Sequence, residues 1–215
     1  MSSSPTIHRD FVSFPERQDR MRYLASAFGP RISGKVLDVG CDVRTLASLI
    51  PNLDYFGIDF GGTPDMHIDL DATPRLPFED RRFDTVICSE VLEHLDSLHR
   101  AFGELVRVSN SQLLISLPNC WASARKPLRT GRGRIGHYGL PSVKPADRHK
   151  WFFSLTEARD FAMAAAAQHG LRIEELRINE KPRSVPLRAG RRILHPAQDS
   201  YDNLYAHTLW ILFTR

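Results

Sequence analysis

Apolar, strand-like runs alternate with segments of helical spacing along most of this 215-residue chain, and that alternation narrows the fold more than any single residue does. The runs at 36–39, 55–59 and 83–88 read as strands. A helix is expected at 44–49, ended by Pro51-Asn52, and a longer one at 91–108, where Leu92, Leu95, Leu98, Phe102, Leu105 and Val106 keep helical spacing. An amphipathic helix at 15–28 precedes the first of these strands and stops at Gly29-Pro30. A short extended piece falls at 66–70, further strands at 112–117, 171–178 and 204–213, and a helix at 156–169 with Gly170 as its stop. Alternation of this kind implies an α/β fold with a doubly wound, mainly parallel sheet covered by helices on both faces. No helix is expected between the last two strands, so the final one should return antiparallel. The simplest organisation is one domain over 1–215. It has a helical lead-in over 1–34 and two irregular insertions, 118–150 and 181–196.

Those insertions carry an uneven share of charge. They hold 13 of the 29 basic residues but only one of the 25 acids, Asp147. The rest of the chain is therefore acidic, although the net charge is only +4. Basic flaps on an acidic body point to an anionic substrate or partner, with the insertions as a substrate lid. Three scattered cysteines, Cys41, Cys88 and Cys120, form neither a disulfide framework nor a zinc spacing. No apolar run approaches the roughly 20 residues needed to span a bilayer. The polar opening MSSSPTIHRD lacks the apolar middle of a secretory signal. A reducing, cytoplasmic setting is expected, with no membrane span.

In a doubly wound sheet, ligands bind beyond the carboxyl ends of the strands near the point where strand order reverses. The chain places Asp38 and Gly40 at the end of its first strong strand, Asp59 at the end of the next, and Ser89-Glu90 after the third. An acid ending the second of these strands can accept both ribose hydroxyls of an adenosine-containing cofactor. A dinucleotide would want G-x-G-x-x-G to bring backbone against its phosphates, and here only Gly40 is present.

Four stretches in order carry a family likeness: V-L-D-V-G-C at 36–41, Y-F-G-I-D at 55–59, L-P-F-E-D-R-R-F-D-T-V-I-C-S-E-V-L-E-H-L at 76–95, and L-L-I-S-L-P-N at 113–119. Together they resemble class I S-adenosylmethionine-dependent methyltransferases over residues 35–119. The likeness is closest to the group with the LPF…FD.V…EVLEHL signature, which includes quinone O-methyltransferases and many small-molecule or sugar-modifying enzymes. The resemblance implies a Rossmann-like class I methyltransferase fold with S-adenosyl-L-methionine as cofactor. It assigns Gly40 and Cys41 to the loop against the methionine part, and Asp38 to support of that loop and the amino group. Asp59 would take the ribose hydroxyls, and Asp69 with Leu70, or else Asp71, would flank the adenine. Ser89 and Glu90 would line the floor where the methyl group is presented. The chain departs from the family's G-C-G-x-G loop by carrying Asp42 and Arg44. It also has Ser109-Asn110-Ser111 where Pro-Gly-Gly is usual.

Methyl transfer needs little acid–base machinery, because alignment supplies much of the rate. A hydroxyl acceptor still benefits from a base, and His94 is the candidate. Glu90, Glu93 and His94 would share one face of a helix that began this early. This E-x-x-E-H resembles the metal-binding element of small-RNA 2′-O-methyltransferases and some quinone O-methyltransferases, and His137 or His149 could add a ligand. A divalent ion is thus admissible but not required. The leading expectation is methyl transfer to O or N of a small, anionic or carbohydrate-like acceptor. The alternatives are an RNA methyltransferase, or a non-catalytic binding protein that kept the fold.

Overall fold

The computed structural model describes residues 5–145 and 148–215, so Asp147 lies outside it. Eight strands form one sheet: β1 (Thr6–Phe11), β2 (Lys35–Val39), β3 (Asp54–Asp59), β4 (Met66–His67), β5 (Phe83–Ser89), β6 (Ser109–Pro118), β7 (Arg172–Glu180) and β8 (Ala206–Thr214). Their order is β1-β7-β8-β6-β5-β2-β3-β4. β8 runs antiparallel to both neighbours, and every other pair is parallel. The mixed α/β architecture with an antiparallel last strand is the one expected from the alternation. Strand order reverses between β2 and β5, so the crevice for a ligand opens above Val39-Gly40 and Ser89.

The helices are α1 (Arg17–Phe28), α2 (Thr45–Leu49), α3 (Leu98–Val108), α4 (Cys120–Thr130), α5 (Leu155–His169), α6 (Val185–Leu194) and α7 (Gln198–Tyr205). Successive residues of a strand point to opposite faces, and here both faces are covered. Leu37, Val39, Val86, Cys88, Leu113 and Ile115 pack under Phe102 and Leu105 of α3 and Ala158 and Ala162 of α5. Val36, Ile87, Leu114 and Trp210 pack on the other side with Leu24 and Phe28 of α1 and Leu46 of α2. α5 begins with a capping box, Glu157 N–H donating to Ser154 Oγ (3.2 Å) and Ser154 N–H to Glu157 Oε2 (2.7 Å). It ends at Gly170 in the left-handed conformation, as expected.

Four features differ from the sequence reading. The lead-in over 1–34 contains an edge strand, β1, as well as a helix. Its residues are largely polar, and it is held by parallel pairing to β7 and by Arg9, which pairs with the buried Asp202 at 2.5 Å. The segment 91–108 is not one helix. A 3-10 turn at Leu92–His94 is followed by extended Leu95, and α3 starts only at Leu98. The first insertion contains α4, anchored by buried Cys120 and Ala124, despite Pro127. The last two strands are joined by α6 and α7, not by a helix-free return. α6 buries no residue: its aliphatic side chains lie on the outer face, so it packs without the apolar inner stripe that usually marks a covering helix.

Candidate cofactor and acceptor site

The loop after β2 keeps glycine-type backbone at all three positions of the G-C-G-x-G pattern. Gly40 has φ +79°, and a Cβ there would lie 2.2 Å from Val91 Cγ2. Asp42 (φ 49°) and Arg44 (φ 57°) occupy the left-handed region with side chains attached. That conformation costs on the order of 1–2 kcal/mol for an ordinary L-residue and less for Asp. Surrounding contacts offset it. Asp42 N–H donates to Asp59 Oδ2 (2.8 Å), and Thr63 N–H donates to Asp42 O (2.8 Å). Arg44 pairs with Asp65 (2.9 Å) and lies over the Tyr55 ring, while Asp65 Oδ2 accepts from Gly57 N–H (2.8 Å). Packing is tight enough that a Cβ on Gly62 would meet Asp42 O at 2.4 Å. The sequence signal for glycines is lost, but the loop shape is retained.

Asp59 ends β3, with Oδ2 on Asp42 N–H and Oδ1 accepting from Gly61 N–H (3.1 Å). Asp38 is buried beneath the loop and accepts from Tyr55 Oη (2.8 Å). Burial pushes the Asp38 carboxyl up from 3.8 to about 6, against the lowering effect of the Tyr55 hydrogen bond. Burial likewise pushes the Cys41 thiol up to about 12, so it is not a nucleophile at neutral pH. Asp69 Oδ1 accepts from Asp71 N–H (2.9 Å) and Ala72 N–H (3.3 Å), and Leu70 is half-buried. The Asp71 carboxylate is engaged at the start of α3, accepting from Ser97 N–H (2.9 Å), Ser97 Oγ (2.7 Å) and Asp96 N–H (3.1 Å). Of the two options at this loop, Asp71 thus has a structural task and Asp69 braces the turn carrying Leu70.

Ser89 Oγ lies 2.9 Å from Ser116 Oγ at the end of β5. Glu90 is left-handed (φ 51°), which breaks the helix that would have aligned it with Glu93 and His94. It instead pairs with Arg20 of α1 and accepts from Thr208 Oγ1 (3.2 Å). Burial raises the Glu90 carboxyl, opposed by Arg20. Glu93 and His94 meet His149 from the first insertion, their ligand-type atoms all within 4.8 Å of one another. His137 stacks on His149 at 4.4 Å, and Tyr138 Oη lies 3.0 Å from His149 Nδ1. Lys150 N–H donates to Glu93 O (2.8 Å) and Trp151 Nε1 to Leu95 O (2.7 Å), so the insertion is stitched to the turn carrying His94. Arg20 and Thr208 were not legible as site residues, because each reaches the crevice from a distant part of the chain.

The methyltransferase domain family matches residues 15–176 of the chain. No curated protein sequence matches. Among solved structures, the chain is similar to magnesium protoporphyrin IX methyltransferase from Synechocystis PCC 6803, solved with bound SAH. That match has 17% identity, a TM-score of 0.54 and coverage of 92% of this chain and 81% of the other. A SAM-dependent methyltransferase from Archaeoglobus fulgidus gives 16% identity, TM-score 0.57 and coverage of 94% and 96%. An S-adenosylmethionine-dependent methyltransferase from Mesorhizobium loti gives 14%, 0.53, 92% and 100%. At these identities the structural matches speak for the fold, while the family match extends over most of the sequence and includes every residue of the crevice loops. With its strand order, switch-point crevice and family match, the chain belongs to the class I S-adenosylmethionine-dependent methyltransferases.

Proposed function

We propose that this methyltransferase acts on an oxygen or nitrogen of a small, anionic or carbohydrate-like acceptor. S-adenosyl-L-methionine would lie across the ends of β2 and β3. The observation that carries the reading is the Asp59–Asp42 contact, which holds a loop with two non-glycine residues in glycine-type conformation beside the crevice. Gly40 and Cys41 face the methionine part, Asp38 supports the loop and the amino group, and Asp59 receives the ribose hydroxyls. Asp69 and Leu70 flank the adenine, while Ser89 and Glu90 line the floor. The cofactor supplies a methyl group on a sulfonium, a good leaving group, so the chain's task is alignment and exclusion of water.

His94 is the proposed base for a hydroxyl acceptor, supported by its place between Glu93 and His149. The basic stretches 118–150 and 181–196 serve as the lid, which favours an anionic acceptor. A second reading draws on the same cluster: Glu93, His94 and His149 form a carboxylate–imidazole donor set suited to a divalent ion, which would polarise the acceptor hydroxyl. Glu90 is left out of that set by its pairing with Arg20.

Calorimetric titration with S-adenosylhomocysteine tests the core of the reading. Micromolar binding is expected, and no binding by well-folded protein overturns it in favour of a non-catalytic member of the family. Salt-sensitive RNA binding would instead move the acceptor to RNA.

A further inference from the structure

The two basic segments also expose apolar side chains, and α6 presents them the reverse way from an ordinary surface helix. Its arginines face the body: Arg188 lies 4.0 Å over Phe11, Arg191 4.4 Å over Tyr205, and Arg192 4.0 Å over Tyr201. Its aliphatic residues face outward, with Val185 68%, Ile193 79% and Leu194 75% exposed. Arg125 of α4 also lies over the Tyr205 ring, at 4.6 Å, so α4 and α6 meet around one ring. On α4, Leu128 is 70% exposed and borders an apolar groove of about 780 Å³ shared with Trp121, Phe152 and Leu204. The loop that follows exposes Leu140 almost completely, and Val143 with it. Exposed aliphatic residues on the outer side of α6 and beside the α4 groove mark an interaction surface.

We infer that this face docks on an anionic lipid bilayer. Charge complementarity identifies the partner: Lys126, Arg129, Arg132, Arg134, Lys181 and Arg183 are exposed on the same two segments, whose single acid is Asp147, against one acid, Glu157, lining the groove. Anionic headgroups attract such a set while aliphatic side chains enter the acyl boundary. A nucleic acid would use the cations but gains little from exposed Leu, Ile and Val. No helix among the described residues is long and apolar enough to cross a membrane, so the contact is peripheral. The docking surface lies outside the cofactor crevice and stands whether or not the assigned cofactor residues are right.

Co-sedimentation of the full chain with vesicles tests it. One set is phosphatidylcholine alone, and the other contains roughly a third phosphatidylglycerol, both in about 0.1 M salt. Binding to the anionic vesicles should be about tenfold tighter or more, with a blue shift in Trp emission as Trp121 enters the interface. The double variant I193E/L194E, altered only at exposed side chains, should bind about tenfold more weakly with unchanged circular dichroism and unchanged S-adenosylhomocysteine affinity. Absence of binding to either vesicle, undiminished binding by the variant, or dimerisation that the variant abolishes without any vesicle binding would each overturn the proposal. So would preferential binding of single-stranded RNA.

Discussion

The backbone N–H of Asp42 donates to the Asp59 carboxylate across 2.8 Å. The contact joins the end of β3 to the loop after β2, the two elements that border the crevice. It also explains how left-handed backbone survives without glycine at 42, because an acceptor from another strand stabilises the conformation. Asp59 thus has two tasks in the proposed site, to shape the loop and to offer oxygen to the ribose.

Asp59→Ala removes both. Affinity for S-adenosylhomocysteine should fall by more than about tenfold, with a stability loss of about 1–3 kcal/mol from the unsatisfied loop N–H groups. Calorimetry alongside a denaturant midpoint separates these effects. Unchanged affinity would displace the ribose site from the end of β3.

Restoring the glycines distinguishes strain from function. Asp42→Gly should be neutral to stabilising by about 1 kcal/mol, since glycine adopts a φ of 49° without a Cβ penalty. Arg44→Gly gains similar relief but loses the ion pair with Asp65 and the contact over Tyr55, each usually worth under about 1 kcal/mol, so its melting temperature should hardly move. Both variants should retain cofactor binding. A large destabilisation of either would mean that the side chains themselves hold the loop.

The buried Asp38 makes stability and binding depend on pH in opposite senses. Its folded value, about 6, lies above its ordinary 3.8, so the folded state holds the proton more tightly. Ionising it opposes folding. That penalty is absent below the ordinary value, grows between 3.8 and about 6, and levels off near 3 kcal/mol above it. Asp38→Asn should therefore gain stability relative to the parent as pH rises through this window. Cofactor affinity of the parent should strengthen over the same range as the carboxylate forms to meet the amino group. Thermal melts and titrations on either side of the window check both.

The Glu93, His94 and His149 set can be tested without knowing the acceptor. If it takes Mn²⁺ or Zn²⁺, a hundredfold excess over Kd should stabilise the protein by about 2.7 kcal/mol, and His149→Ala should abolish the gain. A melting temperature indifferent to metal leaves His94 as the base, and His94→Gln should then slow methyl transfer without weakening S-adenosylhomocysteine binding.

Asn119, the last residue of the SLPN stretch, is buried, and its Nδ2 donates to the carbonyls of Asp202, Asn203 and Ala206 at 2.8–3.1 Å. Asn119→Ala should destabilise the fold by about 1–3 kcal/mol through those unmet acceptors, measured as a lower denaturant midpoint.

The central strands were legible because burial on both faces demands apolar runs, and polar residues at their carboxyl ends then stand out. Asp38, Asp59 and Ser89 could be found in this way from short-range pattern alone. Sequence by itself determined the alternation of strands and helices and the polar strand ends at the switch point, whereas the antiparallel direction of β8, expected from a helix-free connection, is reached through α6 and α7. It did not reveal β1, α4, α6 or the break at Leu95, because these depend on a sheet edge, on arginines stacked against Tyr201 and Tyr205, and on a left-handed Glu90. Only the tertiary structure decided that Asp42 and Arg44 keep the glycine loop, that Glu90 turns to Arg20, and that His149 joins Glu93 and His94. The physical reason is the same throughout. Backbone propensity and hydrophobic period act over neighbouring residues, whereas a left-handed φ or a converging charge cluster is stabilised by partners that the chain brings in from far away.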